Sequence, residues 1–469
     1  MIEHPLSKLT DDQIDALGKE FDAIHDEVFA ELGDRDRRYI TSMIEMHRRL
    51  VVMSRIILLA SRYKPAWAVG TSMLSVSKIL ENMEIGHNVM HGQWDWMNDP
   101  YINSSTWDWD SASTAEAWKH SHNYVHHTYT NIRGKDRDLG YEIMRIDPHQ
   151  KWNPVYLAQP FYNLILASFF EWGVAAHDLD VDAIKAGEKS KEQLRRELKG
   201  MARKGRQQIT KDYVVFPVLS GLASLAVEAA VTSLKVQTKR SRSKRFADRA
   251  IRRARPGRTT PVPVQEVLRE LVERRSFRAP FKATVKANFT ANIVRNVWAY
   301  AIIFCGHFPD QTYTFSKEET EDESRGAFYT RQLLGAANIE GSPMFHVMSG
   351  NLGYQVEHHL YPDMPSTRYA EIAPRVKDIC ERYELPYNTG PFLTQLGMVQ
   401  RTILRLAFPG GKPRAKPGPY RGDDTTSSPR AANGNGNGAH SNGRAPTGAN
   451  GSGPEQPTPG VRVDMPEEG

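Results

Sequence analysis

Long apolar runs separated by charged stretches dominate the pattern of this chain, and strand-like alternation is sparse. The purest run, residues 214–234 (VVFPVLSGLASLAVEAAVTSL), has Glu228 as its one charge and is long enough to cross a bilayer as a helix. Two shorter runs, 51–60 and 66–80, flank Ser-Arg-Tyr-Lys-Pro, a pattern that predicts a tight helical hairpin. Residues 289–304 form a weaker span interrupted by Arg295. Residues 155–176 are apolar and aromatic but include Gln159, Asn163 and Glu171. Each run also suits a buried helix of a large soluble core. Most of the ordered chain reads as helix, beginning with a charged N-terminal helical segment over 1–40.

Composition narrows the organisation. From residue 409 the chain turns to Gly, Asn, Pro, Ser and Ala, as in AANGNGNGAHSNGRAPTGANGSG. Such a segment buries too little apolar surface to offset chain entropy, so 409–469 is expected to be a disordered tail. One folded unit over 41–408 remains. The two cysteines, Cys305 and Cys380, lie far apart and outside any CxxC pair. That argues against a disulfide framework and against cysteine-ligated zinc or iron–sulfur sites. The net charge of +6 owes much to residues 235–258, eleven Lys or Arg against Asp248 alone. This block reads as a solvated, flexible basic segment, with binding of nucleic acid or anionic lipid as the alternative. No zinc finger, helix-turn-helix or aromatic-rich strand signature accompanies it, so no nucleic-acid partner is expected. The charged first fifty residues show no cleavable signal peptide.

Histidine placement changes the picture more than histidine number. His87 and His91 lie in HNVMH, directly after an apolar run; His122, His126 and His127 lie in HNYVHH; His358 and His359 close QVEHH, three residues after Gln355. Helix positions i and i+4 share a face, about 6 Å apart along the axis. Adjacent members of a doublet differ by about 100° around the helix, so each can face a different ion. Two doublets and two spaced histidines suit a pair of metal ions better than one. Neutral imidazole suits iron, zinc and copper. A zinc hydrolase would show HExxH, which is absent here; Glu357 precedes its doublet instead.

GHNVMHGQWDWMNDP, HSHNYVHHTYTN and GNLGYQVEHHLYPDMPS resemble the three histidine boxes of the membrane fatty-acid desaturases, in particular the actinobacterial acyl-CoA (stearoyl-CoA delta-nine) branch, over roughly residues 40–400. The resemblance implies an all-helical integral-membrane bundle of about four membrane helices, with a cytoplasmic helical cap carrying a di-iron site. It implies a multi-pass protein of the cell membrane with its active site facing the cytoplasm. It makes His87, His91, His122, His126, His127, His358 and His359 iron ligands. His307, in CGHFPD after the last apolar run, takes the place of a further family ligand. Gln355 holds the first position of the third box, touching iron directly or through water. Asp138 and Glu357 are candidates to orient ligand imidazoles, while His120, His177 and His346 match no ligand position.

The implied reaction is an O2-dependent desaturation of a fatty acyl-CoA to a cis alkene. An unactivated methylene has no proton that an ordinary side chain can take as a base, so the hard step belongs to the metals. Two electrons are needed. The sequence holds no Rossmann fingerprint, no iron–sulfur cysteine set and no haem-binding HPGG, so a separate NAD(P)H-dependent reductase is expected. Boxes two and three must share one side of the membrane. Crossings at 214–234 and 289–304 satisfy this and return His307 to the irons, though they place 235–258 on the far side, against the usual bias of basic loops. The alternative replaces 289–304 with 155–176. A lipid hydroxylase and a non-catalytic metal-binding membrane protein are the rival functions.

Overall fold

The computed structural model describes residues 5–187, 189–243, 275–410 and 416–421. The expectations for 244–274, most of the basic segment over 235–275 that the family resemblance makes an insertion, and for 422–469 lie outside the described residues.

Helix α1 (Asp11–Ala30) starts at a capping box in which Thr10 and Gln13 satisfy each other's backbone N–H groups. It buries Leu17, Phe21, Ile24 and Val28, one stripe at helical spacing. Helix α2 (Asp34–Leu58) leads through a tight turn into α3 (Lys64–Ile79), with Pro65 in the first turn of α3. A π-helical turn, Leu80–His87, follows directly. The second box sits on another π-helical turn, Lys119–His126.

Helices α4 (Gln159–Ser168) and α5 (Phe170–His177) meet at Phe169, which leaves helical geometry. Residues 155–176 are therefore not one continuous helix. Helix α6 (Lys191–Thr210) continues through a π-helical turn, Lys211–Val215, into α7 (Phe216–Ser243). Among the described residues, Lys191–Val231 is the one helical stretch long and apolar enough to cross a membrane. Helix α8 (Arg275–His307) contains residues 289–304 and ends on His307.

Helices α2, α3, α7 and α8 pack side by side. At one end, Ser61 Oγ donates to the Pro280 carbonyl at 3.1 Å and Ser220 Oγ to the Leu58 carbonyl at 3.1 Å. The histidines lie at the other end, where α3 runs into the first box and α8 into His307. So α2 and α7 run away from the histidines, and α3 and α8 return. Outward faces of this group are apolar and exposed, including Val52, Ile56, Val69, Leu222, Val227, Phe289 and Val297. Where the group meets the rest of the protein, Asp212 accepts from Arg55 at 2.7 Å and Lys78 at 2.9 Å, so the buried charges are paired.

A cap covers the histidine end. It combines α1 with α9 (Arg325–Gly335), α10 (Gln355–Leu360), α11 (Tyr369–Arg382) and α12 (Phe392–Leu406). Leu17, Phe21, Tyr329, Leu333, Tyr361 and Val376 form its core. Gly326 of α9 lies so close to the Ile14 carbonyl of α1 that a Cβ there would overlap it. The strands β1 (Asn338–Glu340) and β2 (Thr389–Pro391) pair in parallel, with Asn338 opposite Thr389. Part of the segment read as tail is ordered against this cap: the Tyr420 N–H donates to the Leu385 carbonyl at 3.0 Å.

Candidate metal centre

The three boxes and the end of α8 converge. His87, His91, His122 and His358 bring one ring nitrogen each within 4.8 Å of one another; His126, His307 and His359 form a second such group. His127 stands between them, its ring centroid 4.7 Å from that of His91, 4.9 Å from His358 and 4.5 Å from His359. All eight are buried or nearly so. Gln355 lies beside the second group, its Nε2 3.1 Å from His307 Nε2. Gly306 permits that approach, since a Cβ there would meet the Gln355 side chain at 2.8 Å. Every predicted site residue is thus brought into one place. The geometry of the first two boxes differs from a plain α-helix. Their π-helical turns shift the facing of successive residues, a distortion that recurs at functional sites.

The rings are oriented from behind. His122 Nδ1 lies 3.6 Å from Asp138 Oδ2, and His126 Nδ1 3.1 Å from both Asp136 oxygens. His87 Nδ1 meets Asn88 Oδ1 at 3.0 Å, His358 Nδ1 meets the Tyr369 hydroxyl at 3.2 Å, and His359 Nδ1 meets Gln332 Oε1 at 3.0 Å. This is the support that metal-binding imidazoles usually have. It leaves Nε2 of His91, His122, His126, His127 and His358 buried without a hydrogen-bond partner. Buried polar atoms are rarely left so. His127 has neither ring nitrogen partnered; inward lone pairs on neutral rings, with Nδ1 of His87, His122, His126, His358 and His359 facing a polar partner behind, fit a metal site of the iron, zinc or copper type.

Electrostatics favours the neutral form. Burial and neighbouring rings push His87 down to about 3 and hold His91, His127, His358 and His359 well below the ordinary histidine value. His126 is the exception. Burial lowers it, but Asp136 outweighs burial and raises it. Asp138 stays well below the usual carboxylate range although burial opposes its ionisation, because His122 and His177 donate to it.

Asp138 lies where an orienting carboxylate was foreseen, 3.6 Å from His122 Nδ1 and 3.7 Å from His126 Nδ1. Glu357 does not; it accepts from Asn338 Nδ2 at 2.8 Å and the Tyr387 hydroxyl at 2.6 Å, tying the third box to the β1 region. His177 is buried against Asp138, His346 stacks on Tyr354, and His120 is exposed. Sequence reasoning missed Asn88, Asp136, Gln332 and Tyr369. Asp136 had a local signal, sitting two residues before Asp138; the other three have none that separates them from ordinary polar residues.

Fold and site together define a helical protein whose clustered histidines are arranged to hold metal. The profile described as fatty acid desaturase matches residues 65–234 and 274–391. A Mycobacterium tuberculosis protein called NADPH-dependent stearoyl-CoA 9-desaturase is 42% identical over 401 residues, covering 86% of this chain and 82% of the relative. Fatty acid desaturase 3 of Homo sapiens is 37% identical over 86 residues, 18% of this chain and 19% of that protein. The sn-1 linoleoyl-lipid 6-desaturase of Synechocystis is 32% identical over 114 residues, 23% of this chain and 31% of that protein. No solved structure matches. The chain belongs to the fatty acid desaturase family and is an oxidoreductase of that kind.

Proposed function

We propose that the protein is a membrane-embedded fatty acyl-CoA desaturase that forms a cis double bond, at the delta-nine position, using two irons, O2 and electrons from a separate NAD(P)H-dependent reductase. The observation that carries this reading is the gathering of seven histidines into two adjoining groups, with His127 between them. His87, His91, His122 and His358 would hold one iron and His126, His307 and His359 the other, with His127 between and Gln355 alongside. Two irons there, supplied with O2 and two electrons, provide the oxidising power to remove hydrogen from an unactivated methylene. The balance is one CH2–CH2 unit, O2, two electrons and two protons giving CH=CH and two waters.

The chain's own residues position and exclude. Asp136, Asp138, Gln332 and Tyr369 fix the ring planes, so little reorganisation accompanies the reaction. The covering cap restricts water at the site. An apolar cleft of about 380 Å³ between α3 and α8, lined by Trp67, Ala68, Thr71, Val76, Ile79 and Val294, has the chemistry to take part of an acyl chain. The name of the Mycobacterium tuberculosis relative supports the acyl-CoA and delta-nine assignments and a nicotinamide electron source.

The exposed apolar faces of α2, α3, α7 and α8 support four membrane helices around this centre. The outward run of α7 and return of α8 support the arrangement that puts 235–258 on the side opposite the irons. Protease accessibility of that segment in oriented vesicles tests it: cleavage from the histidine side refutes the arrangement.

Expression in a host of known lipid composition, with His126→Ala as control, tests the activity. A new cis-9 monoene absent from the control is the expected product. An alcohol in its place would make the protein a hydroxylase. Zinc with no oxygen consumption would make it a non-catalytic metal protein. Purified enzyme given acyl-CoA and O2 stays silent until a reductase is added, and turnover without one refutes the partner.

A further inference from the structure

Asp138 is the one carboxylate among the described residues that reaches a ring in each histidine group. Its Oδ2 lies 3.6 Å from His122 Nδ1 and 3.7 Å from His126 Nδ1. Contacts that long do not fix a carboxylate by themselves. The fixing comes from the opposite side, where His177 Nε2 donates to Asp138 Oδ1 at 3.1 Å.

His177 is itself held from several directions. Its side chain is 6% exposed, and its Nδ1 lies 3.7 Å from Glu142 Oε2. Arg137 donates to both Glu142 oxygens, at 3.1 and 2.8 Å, and to the His177 carbonyl at 3.2 Å; it also pairs with Asp180 at 3.2 Å. The Tyr141 ring packs against His177 with centroids 5.3 Å apart, and is itself held by a near-parallel stack on Phe304 and an edge contact with Phe170. Tyr141 and Glu142 reach these positions because Gly140, Tyr141 and Glu142 are consecutive left-handed residues, with φ of 68°, 51° and 58°. Two non-glycine residues in that region are strained and persist only where surroundings hold them. The strain delivers an aromatic face and a carboxylate to one histidine that no ligand pattern accounts for.

We infer that His177 is a positioning residue of the metal centre: by fixing Asp138 it orients one ring in each histidine group, so a change at His177 disturbs both metals together. The inference rests on the two-iron reading above and concerns which residue keeps the two sites in register. Asp136, by contrast, contacts His126 alone among the ligand candidates, so its loss acts on one group.

The test uses the full-length protein in detergent, with iron content, Mössbauer spectrum and steady-state kinetics as readouts. His177→Phe keeps a ring against Tyr141 and removes the donor; His177→Gln keeps an N–H that can reach Asp138. The expected result for His177→Phe is a rise of roughly 10- to 100-fold in the iron concentration for half-loading, the range for loss of an outer hydrogen bond. Both iron subspectra change, kcat falls, and KM for acyl-CoA holds. His177→Gln recovers most of the loading. The inference is overturned if His177→Phe loads both irons like wild type, if only one subspectrum changes, or if the two variants are equally impaired. Should His177→Phe not fold, Asp138→Asn decides: weakening of both irons supports the inference and weakening of one overturns it. Wild-type protein without iron would sink the two-iron reading itself, a result distinct from any of these.

Discussion

His307 and His359 face each other through their Nε2 atoms at 3.2 Å, although 52 residues separate them in the chain. One ends the long helix α8 and the other belongs to the third box, so this contact joins the helical group to the cap at the site itself. His359 Nδ1 faces Gln332 Oε1, which favours the tautomer that leaves a lone pair on its Nε2, an arrangement suited to sharing a cation with His307.

His307→Ala should therefore remove more than local packing. The expected outcome is retention of the first group's iron, loss of the second, and a fall in activity of roughly 100-fold or more, beyond the effect of losing an outer hydrogen bond. Iron analysis with an activity assay checks it. Two irons per chain with near-normal turnover would remove His307 from the ligand set.

Gln332 serves two box elements at once, meeting His359 Nδ1 at 3.0 Å and donating to the His127 carbonyl at 2.7 Å. Gln332→Leu, similar in size but without polar atoms, is expected to weaken iron binding roughly 10- to 100-fold. Thermal unfolding of the metal-free protein should change far less. Iron titration checks the first expectation, and undiminished affinity would show that the bond carries no weight.

The metal-free protein should lose stability in mild acid. His87, His91, His127, His358 and His359 are held neutral when folded and titrate near 6.5 when unfolded. Below about pH 6.5 the unfolded chain binds more protons, so stability falls with pH until the folded values are reached, about 3 for His87. Each uncompensated ring contributes about 1.4 kcal/mol per pH unit in that window. His126, raised by Asp136, works oppositely, as do Glu81 and Glu84, pushed up by burial to about 7 and about 8: their contributions are present at low pH and lost as pH rises through their folded values. Unfolding temperatures of chelator-treated protein at about pH 7.5 and about pH 5.5 should differ, with the lower value in acid. Equal values would contradict the neutral, buried state of these rings.

Arg295, the residue that interrupts the 289–304 run, is buried and pairs with Glu171 of α5, which also accepts from Gln208 at 2.9 Å. Arg295→Met leaves a buried carboxylate without its cation, expected to cost about 3–5 kcal/mol. Adding Glu171→Leu should restore much of that stability, because the stranded charge is then gone. Thermal unfolding of the single and double variants in detergent provides the check. A double variant no more stable than the single would show that packing, rather than charge, sets the cost.

His307 and Gln355 came from the family resemblance and the crossing at 289–304 was one of two alternatives, whereas the sequence by itself determined the helical class, the hairpin at Ser61–Pro65 and the seven histidines of the three boxes as candidates. Those features are local. Apolar runs and HxxxH or HH spacings are written within a few residues, so their meaning survives without knowledge of what packs against them. Only the tertiary structure decided which histidine joins which group, that His127 stands between the groups, and that the first two boxes ride π-helical turns. It also decided that Phe169 breaks 155–176 and that residues 416–421 return to the cap. Asn88, Gln332, Tyr369 and His177 became visible as supports only there, and Glu357 turned to Asn338 and Tyr387 rather than to a ligand. Each is a polar residue of a common type. Its role depends on which distant segment packing places within about 3 Å of it, a relation that no short stretch of sequence encodes.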